Sequence, residues 1–328
     1  MTTAVLYKLL AILATAALGY VAARQGWLGR IAGNDGANDP ARVISNTAFY
    51  LFVPALLFRT LVRQDLSALP WHTLAAYFVP ATAFTLVVYG LFKRGAPAHP
   101  AAPATRTVAA VYGNAVQLGI PLASALFGET GLALHVALVS VHGIVLLTLL
   151  TVLVEADLAR AHTATSSANS RAAALRSTVR NSIIHPVVLP VLLGMAWNLT
   201  GIGLHPVLDQ TLAGLGSAVV PVCLVLIGVS LATHGVRGGL RSALHVSLLK
   251  LLVMPAMVLI AAHWGFGLSG VPLAVLVMMA AMPVGANALI FAQRYQTLEA
   301  EATVAMLVST VAFIASAALW LAVLGRVG

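Results

Sequence analysis

The sequence predicts an all-α protein that crosses a membrane many times. Apolar residues make up 60% of its 328 residues and charged ones only 8%. Apolar runs of about 20 residues recur along the chain, the length a helix needs to cross a hydrocarbon layer of roughly 30 Å at about 1.5 Å per residue. The runs lack the alternation of barrel strands, and in lipid a helix satisfies its own backbone hydrogen bonds.

Ten spans follow from this pattern, at 4–23, 43–62, 72–92, 106–127, 132–153, 184–200, 210–232, 243–264, 271–292 and 302–324. They divide into a first five-helix unit at 1–154, a polar connection at 155–181 and a second five-helix unit at 182–328. The connection, EADLARAHTATSSANSRAAALRSTVRN, has the composition of a flexible cytoplasmic linker.

Charge sets an expected orientation. With the N-terminus outside, the inner loops hold Arg24, Arg30, Arg42, Lys93, Arg94, Arg106, Arg160, Arg171, Arg176, Arg180, Arg237, Arg241 and Arg294. The outer side holds only Arg59, Arg63 and Arg326, so both termini are expected outside. The net charge of +9 is spread over these short loops without interleaved aromatics, which argues against a nucleic-acid partner. Cys223 is alone, which excludes an intrachain disulfide and a multi-thiol metal site.

The two units share punctuation. Gly19 and Gly26 close span 1 as Gly194 and Gly201 close span 6, and Pro80 and Pro255 each precede an aromatic–Gly pair at the same distance. Pro54 sits within span 2 as Pro221 does within span 7. Span 4 carries YGNAVQLGIPLASALFG (112–128) and span 9 carries AMPVGANALIF (281–291). Their likeness is one of composition, since the asparagine precedes the proline in span 4 and follows it in span 9. Five spans is an odd number, so the second unit enters the membrane inverted, the architecture of many secondary transporters.

Spans 4 and 9 hold the candidate site. Pro121 and Pro283 each remove a backbone donor, and Gly119 and Gly285 loosen the helix further. Two such breaks facing each other present half-helix N-termini, each with about half a unit of positive charge, to whatever lies between them. A small anion suits that position. Asn114 and Asn287 flank the breaks and offer amide donors and acceptors; the alternative is that they only tie helices together. Gln117 has no counterpart in span 9. Asn46 is expected in the same cavity, with Thr47, Tyr50 and Tyr112.

The charged groups near the membrane are few. Glu129 and Asp209 fall at span ends, and Asp65, Glu155, Asp157, Glu299 and Glu301 are expected in loops, so coupling to H+ or Na+ would not use a buried acid. His142 is a candidate for anion contact or proton relay, sharing a helix face with His135, though packed histidines are commoner. Lys250 is expected to snorkel to the cytoplasmic interface, with a substrate contact as the alternative. Arg59 is expected to anchor the outer interface.

NTAFYLFVPALLFRTL (46–61), the span 4 and span 9 signatures and SAVVPVCLVLIGVSLA (217–232) together resemble the auxin efflux carrier family. The resemblance covers nearly the whole chain. It implies ten spans in two inverted repeats, with helices 4 and 9 broken and crossing, and a homodimer through spans 2 and 7. The short central loop is similar to that of bacterial, malonate-transporter-like members, which implies a bacterial inner membrane and a malonate- or malate-like carboxylate as substrate. A channel, a membrane sensor or an exporter of an auxin-like acid on the same fold stays open. No HExxH site, nucleophile elbow or phosphate loop occurs, so neither an enzyme nor an ATP-driven pump is expected, and no cofactor or metal beyond a coupling ion.

Overall fold

The computed structural model describes residues 3–28, 40–63, 69–95, 99–163, 184, 186, 188–234 and 239–327. These residues form helices and no extended strand: α1 (Thr3–Arg24), α2 (Pro40–Thr47), α3 (Val53–Arg63), α4 (Trp71–Arg94), α5 (Ala102–Val111), α6 (Ile120–His142) and α7 (Thr148–Thr163). After them come α8 (Val188–Leu199), α9 (Pro206–His234), α10 (Leu240–Leu248), α11 (Met254–Ile260), α12 (Gly270–Ala281), α13 (Asn287–Arg294) and α14 (Glu299–Val327). Six helical stretches among them have the length and apolarity to cross a membrane, and α8 and α12 are shorter apolar helices.

Prolines shape several of these helices. Ahead of Pro54, Pro121 and Pro255 the backbone widens into five-residue π-helical segments, Ala48–Phe52, Ala115–Gly119 and Leu249–Val253. A proline cannot donate to the carbonyl four residues back, and that carbonyl falls inside the widened turn in all three cases. Gly128 breaks α6 with φ 62°, a conformation that glycine adopts without strain, at the place expected to separate spans 4 and 5.

The helices pack as two bundles. In the first, α1 lies along α9, and α3 packs on α8 and α9. The contact of α1 with α9 is backbone to backbone. A Cβ on Gly19 would lie 2.2 Å from the Val225 carbonyl oxygen, and one on Gly228 only 1.9 Å from that of Ala16. Small residues allow this approach where lipid offers no hydrophobic drive for helix association. Gly26 and Gly201, each seven residues beyond a tightly packed glycine, turn the chain with φ 73° and 68°.

The second bundle gathers α4 to α7 and α10 to α14. Ion pairs tie its ends. Arg106 holds Glu301 through two bonds of 2.6 and 2.7 Å, and Asp157 bridges Lys93 and Arg160. Here two expectations are corrected. The chain is still helical from 155 to Thr163, and Glu155, Asp157 and Glu301 lie on helices rather than in loops, with Asp157 and Glu301 buried and paired. EADLARA is rich in good helix formers, and pairing with basic residues from distant helices offsets the burial of the acids. Residues 164–181 of the expected linker, with Arg171, Arg176 and Arg180, lie outside the described residues, as do Arg30 and Arg237.

Candidate functional site: paired helix breaks beside a cavity

The two broken segments meet at the centre of the molecule. α5 ends at Val111 and the helix resumes at Ala115; α12 ends at Ala281 and resumes at Asn287. Between these ends the two chains pair in an antiparallel bridge, Gly113 opposite Val284. The Asn114 N–H donates to the Pro283 carbonyl at 2.8 Å, and the Gly285 N–H donates to the Tyr112 carbonyl at 2.9 Å. Backbone groups freed by each break are thus satisfied by the other, which is what the absence of water in a bilayer requires.

Only small residues fit there. A Cβ on Gly285 would lie 2.8 Å from the Gly113 carbonyl oxygen, and one on Gly113 would lie 2.9 Å from Met282 Cβ. Each break also has its own support. The Val284 N–H donates to Ser309 Oγ at 3.0 Å, and His135 Nε2 bonds the Ala115 carbonyl at 2.8 Å.

Against the crossing lies a cavity of about 370 Å³, within the size range of small-molecule sites. One wall is the crossing itself, from Tyr112 to Val116 and from Gly285 to Asn287; the opposite wall comes from α3 and α9 of the first bundle. Most of that wall is apolar, with Val53, Leu56, Leu57, Leu212 and Val219. Polar side chains line both walls, Tyr112, Asn114 and Asn287 at the crossing and Arg59, Thr60 and Ser217 opposite. Asn114 and Asn287 both line the cavity, and Asn287 hydrogen-bonds the Tyr112 side chain. His142 stacks flat on the Tyr112 ring at 4.4 Å, and its buried Nε2 has no hydrogen-bond partner among the described residues. Arg59 lines the cavity too, held by Asp209 at 2.8 and 3.2 Å.

Away from the cavity lining, the Arg294 guanidinium lies over the rings of Phe49 and Tyr50, 5.4 and 5.3 Å from their centres. This contact joins the second bundle to the first. The hydroxyl of the next residue, Tyr295, donates to Glu155, 140 positions away, at 3.0 Å.

A family model described as membrane transport protein matches residues 4–321, nearly the whole chain. The chain belongs to that family. This is the auxin efflux carrier group that its motifs resemble, so the protein is a membrane transporter. No curated protein matches the sequence closely enough to indicate a nearer relative.

The structure of this membrane transport protein brings together Asn114, Gly285, Asn287 and His142 at one cavity. Pro283 lies behind the cavity wall, where its carbonyl accepts from Asn114. Gly119 faces away, toward His135, whose Nε2 would be 2.4 Å from a Cβ there. The backbone at Gln117 and Pro121 forms the resumed helix, but their side chains lie outside the described residues. Asn46 is not brought to the site. It is exposed, as are Thr47 and Tyr50, because the π turn at Ala48–Phe52 shifts the helical register between them and the cavity-lining residues from Val53 onward.

Lys250 corrects its expectation most. It does not snorkel: it is fully buried, and its ammonium donates to the Ala280 carbonyl behind the crossing. Two cavity residues were not read as such from the sequence. Thr60 showed no signal, and Arg59 read as an interface anchor because neither its pairing with Asp209, 150 positions away, nor its place on the cavity wall can be read from spacing.

Proposed function

We propose that the protein is a secondary carrier that moves a small organic anion by alternating access, with the anion held at the paired breaks. What supports this is the placement of Asn114 and Asn287, from opposite halves of the chain, on one wall of one cavity beside two resumed helices. The first N–H groups of a helix have no intrahelical acceptor and carry its positive end, so a carboxylate finds donors there without a fixed cation. His142, whose ring stacks on Tyr112, lines the same cavity.

The wider architecture is ten spans in two inverted five-helix repeats, which the shared glycine and proline positions favour. In the positive-inside orientation both termini face outward in a bacterial inner membrane, and the cavity then extends toward the exterior, while Arg294 over Phe49 and Tyr50 closes the cytoplasmic side. One bundle moving against the other would exchange these two conditions. An apolar groove between Val43, Ile44 and Phe52 and Pro221, Val222 and Val225 fits a homodimer contact through spans 2 and 7.

Malonate- or malate-like dicarboxylates are the first substrate class. Their second carboxylate would pair with Arg59 once Asp209 releases it. The apolar wall of α3 and α9 favours a second class, acids with one carboxylate and a hydrocarbon or aromatic body, as in an auxin-like indole acid. Counterflow in liposomes containing the purified protein, run with malonate, malate and an indole acid, tests the function. Saturable exchange of at least one of them is expected. Single-channel conductance, or no exchange of any organic acid, would overturn it.

A further inference from the structure

Lys250 is the fully buried cation of the second bundle, and among the described residues no carboxylate forms an ion pair with it. An ammonium has three donors and is costly to bury unpaired, so its surroundings must supply negative potential. They do so through backbone. Its Nζ donates to the Ala280 carbonyl in the last turn of α12 and lies 3.6 Å from Met254 Sδ. On its other side is the crossing strand, where a Cβ on Gly113 would lie 3.3 Å from Nζ. The absence of a side chain at Gly113 is what admits the ammonium against that backbone.

Two half-helices end here, α5 at Val111 and α12 at Ala281. Each C-terminus carries about half a unit of negative charge, so together they present about one. In carriers built on broken helices, such ends and unwound carbonyls are where a coupling cation binds. Here the Lys250 amine already stands there, tethered to the chain. The widened turn Leu249–Val253 ahead of Pro255 carries Lys250, and π turns of this kind recur at functional sites because the extra residue re-aims a side chain.

We propose that the Lys250 ammonium is the permanent cation of the crossing, occupying the place of a bound metal ion, so that the protein neither binds nor requires sodium there. The inference rests on the crossing and not on the identity of the substrate. It is tested without substrate, by thermal unfolding of the full-length protein in detergent at constant ionic strength.

The wild type is expected to unfold at the same temperature in sodium, lithium and choline chloride. Lys250→Ala opens a cation-sized space and is expected to unfold earlier in choline chloride. Sodium or ethylammonium chloride should then raise its midpoint saturably, by about 3 °C. Lys250→Met fills the space without charge and should be destabilised with no such recovery. A saturable sodium shift in the wild type would overturn the proposal, even if neither variant folds. So would a Lys250→Met protein as stable as the wild type, or a Lys250→Ala protein on which ethylammonium acts no better than choline.

Discussion

The two helix breaks form one bridge but are supported in different ways. The first, Tyr112–Asn114, is followed by a π turn and backed by the imidazole of His135 on the Ala115 carbonyl. The second, Met282–Ala286, has no π turn; it is backed by the hydroxyl of Ser309 on the Val284 N–H and preceded by the Ala280 carbonyl that Lys250 holds. The proline explains part of the difference. Pro121 lies inside the resumed helix, where its missing N–H widens the turn before it, whereas Pro283 lies in the break itself and leaves no helical turn to widen. The two halves of the chain therefore arrive at one paired crossing by different supports, with the Lys250 amine lying against both.

Variants can break this pairing or sharpen the contrast. The largest effect is expected from Gly285→Ala, whose Cβ would lie 2.8 Å from a backbone oxygen that has nowhere to move. Loss of exchange and a destabilisation of about 3 kcal/mol are expected, measurable by counterflow and thermal unfolding. Glycine-like behaviour of the alanine variant would mean that the bridge can open freely. Next comes Ser309→Ala, which leaves the buried Val284 N–H without its partner and should cost about 1–2 kcal/mol.

His135→Leu should cost less, under about 1 kcal/mol, because an under-bonded carbonyl is tolerated better than an orphaned N–H. If His135→Leu proved the more damaging of the two, the ranking of the breaks would be reversed. The smallest effect on stability is expected at the mouth. Arg59→Gln loses a partly exposed pair with Asp209 that contributes little to stability, yet it separates the substrate classes. Exchange of malonate should fall about tenfold or more, from loss of a charge-assisted contact of at least 1.4 kcal/mol, while an indole acid should be little affected.

Much of this crossing was legible in the sequence because its signals are local. A proline and a glycine in an apolar run mark a break wherever they occur, and Asn114 and Asn287 stood beside those marks. The glycine pairs of spans 1 and 6 were legible for the same reason, and Gly19 and Gly26 behave as a contact and a turn. What could not be read was register and pairing. Asn46 seemed to share a face with the cavity only if its helix stayed regular, and the π turn at Ala48–Phe52 removes that premise. Lys250 resembled a snorkelling lysine because hydropathy shows the length of a span but not which side of it faces protein. Glu301 and Asp157 looked like loop residues since their partners Arg106 and Lys93 are 195 and 64 positions away.

The central claim is that the two breaks act as one binding site. The most direct test is a double-mutant cycle on Asn114→Ala and Asn287→Ala, reading the rate of organic-acid counterflow with insertion and folding verified. If one substrate group spans both amides, each single variant lowers exchange strongly and the double variant is scarcely worse than either. Exchange that persists at the wild-type rate in both single variants, or losses that simply multiply in the double variant, would contradict it.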